Sequence, residues 1–240
     1  MLCSVELPIK YLNYLQYVDF DYIIASTCFE YPKYLEYFVN RKIPRFTILD
    51  NGAFETGEAV PDVQYLQLAR IIKPNVLVIP DVLKDAQATL GRFNEFMQLN
   101  PLKGLSRTKL MGVVQAEGST VNAEILGSTY SCKGVQWIGI PYVAELDRYR
   151  LIKKHPEWKN VHILGLPHLA EIQILKDLPN IKSVDCSLPI NLSKEKKLLY
   201  FDAWTSTVRA TPKENRLNGG ILKMNLNNFS MFCHGEQLCR

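Results

Sequence analysis

Apolar residues along this chain recur in short dense runs, each closed by a polar or glycine-containing turn and followed by a stretch with helical spacing. The runs at 22–25, 46–49, 76–79, 110–114, 135–138, 161–164 and 181–184 are rich in β-branched and aromatic residues, the preferred occupants of strands. Several, such as Val76-Leu77-Val78-Ile79, are apolar on both faces, as a parallel sheet covered by helices requires. Between them the stretches 63–72, 86–98 and 169–175 space their apolar residues three and four apart and predict helices. Strand and helix in alternation predict βαβ units. Seven strands, with an eighth placed near Ile221-Leu222-Lys223-Met224 or missing, predict a (β/α)8 TIM-like barrel rather than an open sheet.

The length of 240 residues suits one such barrel, and no low-complexity linker divides residues 1–240, so a single domain is expected. No apolar run approaches the length of a membrane span. The opening Met1-Leu2-Cys3-Ser4-Val5-Glu6 does not read as a basic segment followed by an apolar one, so a cytoplasmic protein is expected, in the host cell if it is phage-encoded. The six cysteines form no Cys-x-x-Cys pair and read as free thiols. Cys233, His234 and Cys239 are ligand types, but their spacing is not that of a zinc site, and no metal or cofactor is expected. The net charge of +4 is unevenly placed: residues 1–193 hold 20 basic and 20 acidic side chains, residues 194–240 hold 8 and 4. Lys194, Lys196 and Lys197 open this basic segment, which suits either phosphate contact or a solvated helix face.

Catalytic groups of an α/β barrel come from the C-terminal ends of its strands. Here those ends read Asp50-Asn51-Gly52-Ala53-Phe54, Pro80-Asp81, Gln115, Gly139-Ile140-Pro141-Tyr142, Gly165-Leu166-Pro167-His168 and Asp185-Cys186-Ser187-Leu188-Pro189. One Asp after a strand is often only the cap of the next helix. Three at one mouth are harder to explain as caps, because each desolvated charge penalises the others.

Taken in order over roughly residues 46–190, these segments resemble the tRNA-guanine transglycosylase superfamily, most closely its DNA 7-deazaguanine transglycosylases of phage and bacterial DNA modification. Ile48-Leu49-Asp50-Asn51-Gly52-Ala53-Phe54-Glu55 is similar to the family's Asp-Ser-Gly-Gly-Phe-Gln segment. Met111-Gly112-Val113-Val114-Gln115 is similar to its Gly-Ile-Val-Gln strand, and Trp137-Ile138-Gly139-Ile140 to its Ile-Gly-Gly-Leu turn. His162-Ile163-Leu164-Gly165-Leu166-Pro167 stands where the family has Leu-Met-Gly-Val-Gly, and Val184-Asp185-Cys186-Ser187-Leu188-Pro189 resembles Phe-Asp-Cys-Val-Met-Pro. The resemblance implies a nucleophile in Asp185 and a proton-moving carboxyl in Asp50. It implies a base-reading acceptor in Asp81 and contacts to O6 from Gln115 and the backbone at Gly139 and Ile140. Asn51 joins this pocket, and Phe54 or Tyr142 would stack on the purine.

Two departures bear on the substrate. The family's tRNA enzymes carry a Cys-x-Cys-x-x-Cys…His zinc subdomain and arginines after the nucleophile segment, whereas this chain continues Ile190-Asn191-Leu192-Ser193-Lys194. The expected substrates are therefore DNA and a 7-deazaguanine base of the preQ0 or preQ1 type, with the lysines on the DNA backbone. The alternatives are a tRNA enzyme, or a non-catalytic barrel that binds a purine or a partner. The oligomeric state stays open.

Overall fold

A computed structural model describes residues 1–143, 146–199 and 217–235. Eight strands form one all-parallel sheet: β1 (Leu2–Ser4), β2 (Asp21–Ile24), β3 (Thr47–Asp50), β4 (Val76–Val78), β5 (Lys109–Val113), β6 (Trp137–Pro141), β7 (Val161–Leu164) and β8 (Ile181–Asp185). Each pairs with its sequence neighbour from β2 through to β8, and β8 also pairs with β1, so the sheet curls into a nearly closed (β/α)8 barrel. The remaining seam, between β1 and β2, is bridged just below the start of β2. Asp19 N–H donates to the Cys3 carbonyl (2.9 Å), and Ser4 Oγ donates to the Phe20 carbonyl (2.7 Å).

Ten α-helices are described, α1 (Ala25–Glu30), α2 (Pro32–Val39), α3 (Ala53–Thr56), α4 (Asp62–Ile72), α5 (Ala86–Gln98), α6 (Thr120–Cys132), α7 (Arg148–Lys154), α8 (Leu169–Leu175), α9 (Leu188–Lys194) and α10 (Gly219–His234), and a 3₁₀ helix (Ile9–Tyr17) joins β1 to β2. Their starts follow ordinary capping chemistry. Asp85, Ser119, Asp147 and Asn218 each accept a backbone N–H of the first turn of α5, α6, α7 and α10. None of the described helices is long and apolar enough to cross a membrane.

The eighth strand is where sequence and structure differ. Residues 221–224 lie in α10, and the eighth strand is the three-residue β1 at the other end of the chain. The physical reason is periodicity: Leu222, Leu226, Phe229 and Cys233 are buried at four- and three-residue intervals, one face of a helix. A second shift concerns β6, which begins at Trp137 and runs on to Pro141, so Gly139 and Ile140 are strand residues rather than a turn after it.

Alternation along the strands separates two cores. Outward residues such as Leu49, Leu77, Leu110, Ile138, Ile163 and Val184 pack beneath the helices. Inward residues Tyr22, Ile24, Ile48, Val76, Val78, Met111, Val113 and Trp137 fill the barrel. The rings of Phe20, Phe46 and Trp137 plug its lower end, with centroids 5.9 Å apart in each successive pair.

Glycine allows close approach of helix to strand at two places in the outer layer. A Cβ on Gly112 would run into the Tyr130 ring, and one on Gly127 into Trp158, which is itself fully buried. Gly127→Ala is expected to cost about 1–3 kcal/mol of stability by overpacking. Chemical denaturation is the check, with Gly91→Ala in α5, where the space is open and φ is not positive, as control for the glycine-to-alanine change itself.

Candidate active site

Alternation carries three carboxyl groups onto the barrel mouth from neighbouring and opposite walls: Asp50 ends β3, Asp185 ends β8, and Glu6 follows β1. Register supports this placement, since Ser4 pairs with Asp185 and Ile24 with Asp50. Glu6, two residues past Ser4, is a site residue that sequence reasoning did not single out.

Asp50 is held by a tight turn. Gly52 adopts φ +82, a left-handed conformation open to glycine, and a Cβ there would also strike the Ser26 side chain and backbone. That turn aims the Gly52 N–H at Asp50 Oδ1 (2.7 Å), while the Tyr22 hydroxyl donates to Oδ2 (2.9 Å). Asp185 is held from the other side: Gly165, at φ +68, donates its N–H to Oδ1 (3.2 Å). The Gly165 peptide is itself fixed by the buried Arg148, whose Nη1 donates to the carbonyls of Leu164 (3.1 Å) and Gly165 (2.9 Å). Glu171 pairs with the same guanidinium, accepting from Nε at 2.6 Å.

Asp81, Asn51 and Gln115 form a buried network beside them. Asn51 Nδ2 donates to Asp81 Oδ1 (2.7 Å) and Gln115 Nε2 to Asp81 Oδ2 (2.6 Å). Asn51 Oδ1 accepts the Ala53 N–H (2.9 Å), and Gln115 Oε1 accepts the Lys84 N–H (3.2 Å). The two amides are thereby locked with their donors toward the carboxylate. Each carboxylate oxygen still has a lone pair to offer a ligand.

Burial dominates the electrostatics. It pushes the Asp50 carboxyl up to about 7, helped by the charges of Asp81 and Asp185 and opposed by the Gly52 and Tyr22 hydrogen bonds. Glu6 rises to about 7 through burial, then Asp185 and Asp50. Glu55, on the outward turn of α3, is raised by desolvation and by Asp50 and Glu6. Burial also raises Asp81, against the hydrogen bonds from Gln115 and Asn51. A carboxyl near 7 can both give and take a proton at neutral pH, which suits general acid–base work.

The other expected residues fall in different places. Phe54 and Tyr142 stand at the mouth, 73% and 50% exposed as residues, and the Tyr142 ring lies 5.5 Å from the Arg148 guanidinium. Gly139 faces the lumen, where a Cβ would meet Leu164 at 3.1 Å and Val113 at 3.2 Å, and it pairs with Val113 below the level of Gln115. The Ile140 side chain is buried in the outer core, so only its backbone is available to a ligand. Lys194, Lys196 and Lys197 sit at the far end of α9, about 10 Å of helix rise from the Asp185 turn. Lys197 Nζ already pairs with Glu195 Oε2 (2.7 Å). Much of the basic segment, residues 200–216 and 236–240 with Cys239 among them, lies outside the described residues.

Cys233 is buried and His234 Nε2 lies 3.1 Å from Asp19 Oδ2, at the start of β2 and far from the mouth. Among the described residues no three His, Cys, Asp or Glu side chains are grouped so as to hold a metal ion.

No protein-family model and no curated protein matches this chain.

Proposed function

We propose that the protein is a base-exchange transglycosylase that replaces guanine in DNA with a 7-deazaguanine derivative through a covalent glycosyl ester on Asp185. The observation that carries this reading is the contrast between two carboxyl groups at one mouth. Asp185 is anchored through Oδ1 by a backbone N–H, while Asp50 is held near 7 within electrostatic reach of it.

In the proposed reaction an Asp185 oxygen attacks C1′ of the target nucleotide and the C1′–N9 bond breaks. Asp50 gives its proton to N9 of the departing guanine. The incoming base then returns a proton to Asp50 as its own N9 attacks C1′ and the C1′–O bond to Asp185 breaks. Two displacements retain the configuration, as in retaining glycosidases. Asp81, with Asn51 and Gln115 fixed around it, would accept from N1–H and the 2-amino group, an edge that needs an acceptor-only partner. Phe54 and Tyr142 offer exposed rings to a nucleotide flipped out of its stack.

A second reading, a purine-binding barrel without chemistry, draws on the buried Asn51–Asp81–Gln115 network, which offers acceptors to a purine edge without calling on Asp185 as a nucleophile. Incubating the protein with labelled guanine and either DNA or tRNA separates the readings. Label entering DNA is expected. Label entering tRNA alone would change the polymer but not the chemistry, and purine binding with no exchange would support the second reading.

The lysines make a smaller prediction. If Lys194, Lys196 and Lys197 neutralise phosphates, changing all three to Ala flattens the log–log salt dependence of DNA binding by about 2–3 units of slope. An unchanged slope would return them to the solvated helix end on which Lys197 already pairs with Glu195.

A further inference from the structure

Beneath the mouth, the inward wall formed by β7 and β8 is polar where the opposite wall is apolar. His162 and Ser183 are both completely buried, and their strands pair them directly. His162 Nδ1 is 2.8 Å from Ser183 Oγ. Its Nε2 points toward the mouth, 3.2 Å from Asp185 Oδ1, without the alignment of a finished hydrogen bond and with no other partner among the described residues. The imidazole is stacked on the Tyr22 ring, with centroids 5.6 Å apart and planes 15° apart, and Phe20 meets its edge. Nothing in the proposed reaction so far uses this pair, and a buried polar atom left unpaired is costly.

Two proton placements are open to the imidazole, and Ser183 chooses between them. If Ser183 accepts from Nδ1–H, the Nε2 lone pair faces a carboxylate oxygen at 3.2 Å, which is repulsive. If Ser183 donates to Nδ1, the proton lies on Nε2 and faces Oδ1, which is attractive. The second arrangement satisfies every atom with small adjustment. Gly165 N–H already points at the same oxygen.

We infer that the Ser183–His162 pair is a positioning device that selects which oxygen of Asp185 reacts. Oδ1 is held by Gly165 N–H and His162 Nε2–H, and Oδ2 is left free to attack. The Tyr22–His162 stack extends the device, because Tyr22 holds Asp50 Oδ2 at 2.9 Å. Each of the two working carboxyls is thus supported from below by one ring of a stacked pair. This role for His162 rests on Asp185 being the nucleophile, but its proton placement does not.

The test uses the full chain with 15N-labelled histidine side chains. Nuclear magnetic resonance at neutral pH is expected to show neutral His162 protonated on Nε2, and Ser183→Ala is expected to erode that preference. Kinetically, His162→Phe is expected to slow formation of the covalent adduct by about 10–100-fold, the scale set by loss of a hydrogen bond to a charged group. Purine affinity should change less than threefold in the same variant. His162→Gln, whose amide can accept from Ser183 and donate to Asp185, should recover part of the rate. A predominantly Nδ1-protonated His162 would overturn the proposal whether or not any exchange is detected. So would a His162→Phe variant with unaltered adduct formation, or one whose loss is all in purine affinity. If that variant does not fold, the tautomer in the parent and in Ser183→Ala still decides. Absence of exchange in a parent protein with Nε2 protonated would instead count against the transglycosylase reading.

Discussion

Asp185→Asn is expected to abolish base exchange, by a factor on the order of 10⁴ or more, while the fold survives. An amide has the volume of the carboxyl, and its oxygen can still accept the Gly165 N–H, so the local structure keeps its main support. What it lacks is a nucleophilic oxygen, and deleting the nucleophile of a covalent mechanism removes the whole displacement path rather than one contribution to it. Asp185 also ends β8, whose register with β1 and β7 is set by backbone hydrogen bonds that the substitution leaves alone. Purine affinity should therefore be nearly unchanged, since Asp81, Asn51 and Gln115 are untouched. Equal loss of purine affinity and rate would mean that Asp185 reads the base rather than attacks the sugar.

Asp50→Asn is expected to raise stability at neutral and alkaline pH. The Asp50 carboxyl is held near 7 in the folded chain, above its ordinary value, so the folded state binds its proton more tightly than the unfolded state does. Its contribution to stability is fully present below the unfolded value near 4 and is lost as pH rises through about 7. Glu6 behaves in the same way over the same window. Above pH 7 the mouth therefore holds mutually repelling, desolvated carboxylates, and replacing Asp50 with a neutral isostere relieves part of that. The variant should gain on the order of 2–4 kcal/mol over the parent at pH 8, with the difference shrinking toward zero near pH 4. Denaturant unfolding at several pH values checks it, and an Asn variant less stable than the parent at pH 8 would contradict the electrostatic picture. Exchange should fall in the same variant, a trade of activity against stability that strained catalytic sites commonly make.

The barrel and most of its mouth were legible because each strand announced itself twice, by a dense apolar run and by the polar residue that closed it. Asp50, Asp81, Gln115 and Asp185 all interrupt such runs, and the structure brings Asp81 and Gln115 to within 2.6 Å of each other. Asn51 was placed in the pocket by its position beside Asp50, and its contact with Asp81 follows from the same turn. The eighth strand was not legible, because β1 is three residues long and has no run to announce it. Its stability comes from pairing with β8 and from packing of α10, contacts far away in sequence. Glu6 was hidden with it.

His162 was missed for a different reason. A single histidine inside an apolar run reads as a core residue, and its depth in the barrel is unremarkable until strand register sets it beside Ser183 and below Asp185. A weak signal was present: Ser183 lies two residues before Asp185, on the same face of the strand, and Ser4 stands likewise before Glu6. Polar residues at period two beneath a strand-end acid mark a wall that is not simply core. Gly139 and Ile140 illustrate the limit of boundary reading, since β6 runs on to Pro141 rather than ending at 138, which sets one in the lumen and the other in the outer core.

The central claim is a covalent bond between Asp185 and C1′ of a nucleotide. The most direct measurement is mass spectrometry of the protein after incubation with guanine-containing DNA and denaturation without added base. The expected result is a denaturant-stable protein–DNA adduct that maps to the peptide carrying Asp185, is absent from Asp185→Asn, and is released by added 7-deazaguanine base. Exchange activity with no adduct in the parent, or an adduct that persists in Asp185→Asn, would contradict it.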